Sequence, residues 1–163
     1  MHEKFWKETI AAVESLLDIS LPKLSNFANV ASLVYWSLND DNRNVNWAGF
    51  YFTKDFLLYA EKEKTLYLGP FQGRVACTVI PFGKGVCGKS AADKKSILVN
   101  DVHNFADHIA CDSRSESEVV IPIVVDDTVI GVFDLDCLVK EGFSERDRAA
   151  LEQIVNILVD KIL

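Results

Sequence analysis

Two strand-forming runs, residues 119–125 and 129–136, stand on either side of Asp126-Asp127-Thr128, and this pairing limits what the chain can fold into more than any other feature. Val, Ile and Phe dominate both runs. A short Asp-rich connection between two such runs predicts a β-hairpin. Asp134 and Asp136, two residues apart on the second run, share one side of an extended strand. Glu118 immediately precedes the first run. Carboxyl groups on a sheet face either mark a solvated surface or line a polar pocket, because buried acids are costly unless partnered. The residues alone leave both open. In a pocket, these acids would bind an ammonium group, or one would stay protonated and act as a general acid.

The rest of the chain supplies partners for the hairpin. Residues 46–53, 65–68, 76–80 and 97–99 are rich in aromatic and β-branched side chains and read as strands. Residues 5–19 place Phe5, Thr9, Ala12, Val13, Leu16 and Leu17 on one helical stripe. Pro22 opens a second helix with Leu24, Phe27, Ala28, Ala31, Leu33, Val34 and Leu38 inward, which ends at residues 39–42. Pro81, Gly83, Gly85 and Gly88 make a turn before a short helix at 86–92. Ser144 caps a last helix with Ala149, Ile154, Ile157, Leu158 and Ile162 inward. Residues 100–118 form a long polar loop, the first place to look for function. The expected class is α+β: a mostly antiparallel sheet, terminal helices on one face and a loop-covered pocket on the other. At 163 residues a single domain over 1–163 is expected.

Charge and composition narrow the function classes. A hydrophobic share of 49% excludes a disordered chain. Seventeen basic against 24 acidic residues give a net charge of −7, which argues against nucleic acid or anionic membrane surfaces as partners. No apolar run reaches the roughly 18 residues of a spanning helix, and charges interrupt the opening segment, so neither a membrane span nor a signal peptide is expected. A cytoplasmic location follows, where the four cysteines would rest reduced and a redox or metal role gains weight over a structural disulfide.

Cys111, in the polar loop near His103 and His108, is the leading nucleophile candidate. The histidines would favour its thiolate and the surrounding acids would oppose it. Cys77, on the expected strand 76–80, and Cys87, in the turn Gly85-Val86-Cys87-Gly88, are each able to resolve an oxidised Cys111, and spacing does not choose between them. Packing is the plain alternative for Cys111 and Cys77, explains Cys87 between its glycines less well, and makes Cys137 a filler at a strand end. A zinc site from Cys87, His103, His108 and Cys111 lacks paired ligand spacing. The glycines at 83, 85 and 88 lack the Lys-Ser/Thr ending of a phosphate loop. Trp47 and Tyr51, four apart on one side of a strand, supply either core or an apolar pocket wall.

Six segments together resemble the free methionine-(R)-sulfoxide reductases, which are GAF domains: Asn46-Trp47-Ala48-Gly49-Phe50-Tyr51, Gly85-Val86-Cys87-Gly88, Asp101-Val102-His103, His108-Ile109-Ala110-Cys111-Asp112-Ser113, Ser117-Glu118-Val119-Val120-Ile121-Pro122 and Gly131-Val132-Phe133-Asp134-Leu135-Asp136. The resemblance runs from about Trp47 to the last helix. It implies Cys111 as the catalytic cysteine, Cys77 as the resolving one and Cys87 as a third family cysteine that assists recycling. It implies Glu118, Asp134 and Asp136 as substrate-site carboxylates and Trp47 and Tyr51 around the methyl end of the substrate. Cys137 departs from the serine common in the family.

The implied activity is reduction of free L-methionine (R)-sulfoxide through a sulfenic acid and an intramolecular disulfide, recycled by a dithiol protein such as thioredoxin, with no metal or organic cofactor. A homodimer is expected from GAF proteins in general. The alternative from another class is a GAF ligand-binding or redox-sensing module without turnover, against which stands the lack of an attached output domain.

Overall fold

The β-hairpin lies near the middle of a six-stranded sheet. The computed structural model describes residues 2–57, 60–109 and 111–163. Along these residues run α1 (His2–Leu16), α2 (Lys23–Asp40), β1 (Val45–Phe52), β2 (Thr65–Gly73), β3 (Val79–Pro81), α3 (Gly85–Asp93), β4 (Ile97–Val99), a 3-10 turn at Val102–Asn104, β5 (Ser117–Val125), β6 (Thr128–Cys137) and α4 (Glu145–Ile162). β5 and β6 pair from Ser117 opposite Cys137 to Val125 opposite Thr128. Asp126 and Asp127 turn the chain at φ +46° and +63°, left-handed geometry that matches the twist of the flanking strands and that Asp tolerates better than most residues. The strand order is β3-β2-β1-β6-β5-β4, and every pairing is antiparallel.

The period-two alternation of the central strands sorts side chains onto two faces with different chemistry. Phe50, Phe52, Val119, Ile121, Phe133 and Leu135 point to one face and join the buried stripes of α1, α2 and α4 in one apolar core. Trp47, Tyr51, Val120 and Val132 point to the other, where α3 contributes Val86, Cys87 and Ala91 to a smaller cluster. The terminal helices thus cover one face, as expected. The second face is covered by α3 and the loop between β4 and β5.

Several boundaries and stripes differ from the sequence reading. α1 stops at Leu16, and the Asn26 side chain holds the following turn by accepting from Asp18 N at 2.8 Å and donating to Asp18 O at 2.9 Å. Trp6 and Val13 are buried in α1 while Ala12 is exposed, and α2 buries Val30 while Leu24 and Ala28 face solvent. In α4 the buried residues are Ala150, Leu151, Ile154, Val155, Leu158 and Ile162, with Ala149 outside. Packing against the sheet, rather than apolar content, sets each stripe. β3 is only Val79–Pro81, so Cys77 lies in the loop before it and not on a strand, whereas β2 continues to Gly73. Among the described residues no helix is long and apolar enough to cross a membrane.

One buried acid ties the helical layer together. Asp147 accepts from Trp6 Nε1 of α1 at 2.8 Å, from Arg43 before β1 at 2.7 Å, and from Ser144 N at 2.6 Å in the box that caps α4. Burial alone would raise its pKa, but the bonds from Arg43 and Ser144 outweigh it and hold it below the usual carboxylate value. A depressed pKa contributes stability above the unfolded value near 4 that is lost as pH falls through the folded one. Removing one partner of such a buried pair costs about 3–5 kcal/mol. Asp147→Ala is expected to lose about that much in urea denaturation at pH 7, with the gap to wild type shrinking below pH 4.

Candidate active site

Sheet register gathers the acids. β5 and β6 set Glu118 opposite Asp136 and Val120 opposite Asp134. β1 sets Trp47 opposite Asp136, Gly49 opposite Asp134 and Tyr51 opposite Val132. Three successive rows of the same face therefore carry three carboxyls and two aromatic rings. Gly49 lets them close up, since a Cβ there would stand 2.6 Å from Trp47 Cη2. The Trp47 ring instead stacks on Tyr51 at 5.8 Å between centroids and on Phe71 at 5.3 Å. With Lys84 and Cys87 from α3 and its N-terminal flank, and His108, Ile109 and Cys111 from the loop, these residues line a pocket.

The floor is buried, and burial favours the protonated form of its acids. Glu118 and Asp134 are almost wholly removed from solvent, and Asp136 sits at the partly open rim. Burial first, and then each other's charge, push all three carboxyl pKa values well up. Cys87 Sγ lies 3.9 Å from Glu118 Oε1, and burial followed by Asp134 and Glu118 raises that thiol well above its ordinary value. Asp134 Oδ1 is buried with no hydrogen-bond partner, an acceptor facing the pocket side of the sheet. Burial and the same acids raise the Tyr51 phenol.

The sulfur chemistry sits at the mouth. Cys77 and Cys111 form a disulfide with Cα atoms 5.5 Å apart. Cys111 is exposed and Cys77 half-buried. The polar ends of the aromatic wall hold the Cys77 loop, with Tyr51 donating from its hydroxyl to Cys77 O at 2.9 Å and Trp47 Nε1 donating to Arg74 O at 3.1 Å. The Cys111 segment is clasped on both sides. His108 Nε2 lies 3.1 Å from Glu118 Oε2, and Asn46 Nδ2 donates to Ser115 Oγ at 3.0 Å and to Asp112 Oδ2 at 3.3 Å. Arg114 grips Asp112 through two nitrogens and holds its carboxyl below the usual range.

Of the eight residues singled out from sequence, Trp47, Tyr51, Cys87, Cys111, Glu118, Asp134 and Asp136 line this one pocket, and Cys77 is bonded to Cys111 at its edge. Cys87 lies in the first turn of α3 rather than in a turn, because the helix begins at Gly85. Ala110 of the His108–Ser113 segment falls outside the described residues. Cys137 is buried in the opposite core and donates to Arg43 O at 3.2 Å. Of the four residues weighed for zinc, Cys87, His108 and Cys111 line the pocket, but Cys111 is bonded to Cys77 and His103 pairs with Glu116 at 3.2 Å. Cys87, Glu118 and Asp134 instead bring donor atoms within 4.8 Å of one another. Sequence reading missed the His108–Glu118 contact and the clasp by Asn46 and Ser115. The only hint was that His108 and Asp112 flank Cys111 in one segment.

A sheet of this order, with helices on one face and a roofed pocket on the other, is a GAF domain, and the GAF domain profile matches residues 11–160. The chain is 41% identical over 96% of its length to the free methionine-R-sulfoxide reductase of Saccharomyces cerevisiae, covering 84% of that protein. It is 44% identical over 86% of its length to the protein of the same name in Escherichia coli, covering 77% of it. A solved free methionine-R-sulfoxide reductase from Neisseria meningitidis, in complex with its substrate, superposes with a TM-score of 0.84 at 35% identity, over 96% of this chain and 87% of that one. The chain belongs to the free methionine-R-sulfoxide reductase family and is an oxidoreductase.

The raised acids carry a stability consequence. An acid whose folded pKa is raised contributes stability that is complete below the unfolded value near 4 and is lost as pH climbs through the folded value. Asp134→Asn removes that loss. In urea titrations its stability relative to wild type is expected to improve as pH rises from 5 to 8, the direction that the raised carboxyl sets.

Proposed function

We propose that the chain reduces free L-methionine (R)-sulfoxide to methionine with Cys111 as nucleophile and Cys77 as resolving thiol. The observation that carries the reading is the Cys77–Cys111 bond at the mouth of a pocket floored by buried acids, whose burial favours the protonated form. The Cys111 thiolate attacks the sulfoxide while a carboxyl of the floor gives its proton to the oxygen. The substrate's sulfur–oxygen bond breaks, the hydroxyl ends on Cys111 as a sulfenic acid, and methionine leaves with the two electrons that Cys111 lost. Cys77 Sγ then displaces that hydroxyl, which takes the Cys77 thiol proton and departs as water, closing the disulfide.

Trp47 and Tyr51 form the apolar wall for the methyl end, and the carboxyls of Glu118, Asp134 and Asp136 receive the polar end. An enclosed site with acids for an ammonium group disfavours methionine flanked by peptide bonds. Cys87 is a poor resolver while burial keeps its thiol protonated, so it acts only after Cys77. The single domain spans residues 1–163. A dithiol protein such as thioredoxin reopens the bond by exchange in the reducing cytoplasm. The exposure of Cys111 and of its apolar neighbours Val75, 87% exposed, and Ile109, 38% exposed, supports access by a protein thiol.

A thioredoxin-coupled NADPH assay tests this. Wild type is expected to turn over free methionine (R)-sulfoxide, and Cys111→Ser to fall to the background rate. Cys77→Ser is expected to release about one equivalent of methionine and then stall at a sulfenic acid that a dimedone probe captures. Binding of the sulfoxide without NADPH consumption would instead make the site a ligand sensor.

A further inference from the structure

His108 takes no part in the steps above, yet it joins a buried acid of the floor to the solvent side of the pocket. Its Nε2 lies 3.1 Å from Glu118 Oε2, with side-chain exposures of 12% for His108 and 7% for Glu118. That distance is within the reach of direct proton transfer. A carboxyl that has given up its proton in this buried floor is a charge left in a poor environment and must be reloaded before the next cycle. Imidazole is suited to that task because it takes up and releases a proton near neutral pH. His108 comes from the polar loop and Glu118 from β5, so the contact runs from the roof to the floor. Burial keeps the imidazole neutral at rest, consistent with a protonated Glu118 beside it.

We propose that Glu118 is the carboxyl that protonates the sulfoxide oxygen, and that His108 is its proton inlet, passing a solvent proton to Glu118 after each turnover. The inference rests on the reductase reading. In the balance of one cycle, the Cys111 thiol proton goes to solvent when the thiolate forms, Glu118 delivers a proton to the oxygen, and one proton returns from solvent through His108 to Glu118. His108 acts through Glu118 and need not touch the substrate.

The test follows the reduced protein through its first and later turnovers, with an external dithiol raised until the steady rate no longer depends on it. If Glu118 carries its proton at the start, as the inlet requires, His108→Ala completes its first turnover near the wild-type rate and then slows in the steady state by about tenfold or more. Added imidazole is expected to restore that rate in His108→Ala. His108→Gln, which keeps a polar contact to Glu118 but fills the space, is expected to show the same slowing without rescue. A steady rate unchanged in both variants overturns the inlet. A slowed first turnover that imidazole leaves untouched also overturns it, leaving His108 a mere clasp. A wild-type protein that binds the sulfoxide without reducing it overturns the reductase reading itself, a result distinct from either failure.

Discussion

The molecule is organised around the cost of putting three carboxyl groups on one face of a sheet. A buried, isolated carboxylate is expensive, and with no Lys or Arg paired to Glu118, Asp134 or Asp136 among the described residues, burial shifts all three toward the protonated form. Antiparallel register makes the clustering unavoidable, because Glu118 opposite Asp136 and the two-residue spacing to Asp134 fix all three on the same side. A one-residue slip of β6 would send Asp134 and Asp136 into the apolar core and turn Phe133 and Leu135 out to the pocket face. The fold and the site are therefore specified by the same pairing.

The two faces of that sheet divide the labour. The helical face is closely packed, with Phe27 edge-on to Phe50 and Phe52 and Phe50 stacked on Phe133, and its buried Asp147 carboxyl accepts from four donors of α1, the turn before β1 and the α4 cap, although Arg43 Nη1 beside it lacks a partner. The pocket face leaves a carboxyl oxygen of Asp134 unpartnered. Polar groups left open in this way weaken a fold and are kept where a ligand completes them. The apolar face supplies the stability that the pocket face gives up.

Much of this was legible in sequence, and the limits are physical. The β5–β6 hairpin, the capped last helix and the α+β class follow from period and turn chemistry, which act locally. The pocket direction of Asp134, Asp136, Trp47 and Tyr51 needed only the two-residue rule plus knowledge of which face is covered, and that depends on where α1, α2 and α4 pack. Cys77 was misplaced because residues 76–80 have strand-forming side chains but only 79–81 find a partner strand in β2. The helix stripes were displaced because Ala and Leu are tolerated on either side of a helix, so Leu24 and Ala149 gave no signal of facing outward. The pairing of His108 with Glu118 links residues ten apart across a loop without periodicity, and nothing in local pattern encodes such a contact.

Protonated acids also remove the conflict that the sequence raises at Cys111. Acids around a thiol oppose its ionisation only when they are charged. Burial and mutual repulsion favour the neutral form of the three floor acids, which lessens their repulsion of a Cys111 thiolate. The charged acid nearest in sequence, Asp112, is neutralised by Arg114 through contacts of 3.0 and 2.6 Å. Lys84, a cation with no ion pair among the described residues, lines the same pocket. The same neutral carboxyls that spare the thiolate hold the protons that a departing oxygen requires, so one desolvated cluster serves both halves of the reaction, and charging it in the empty site would defeat both at once.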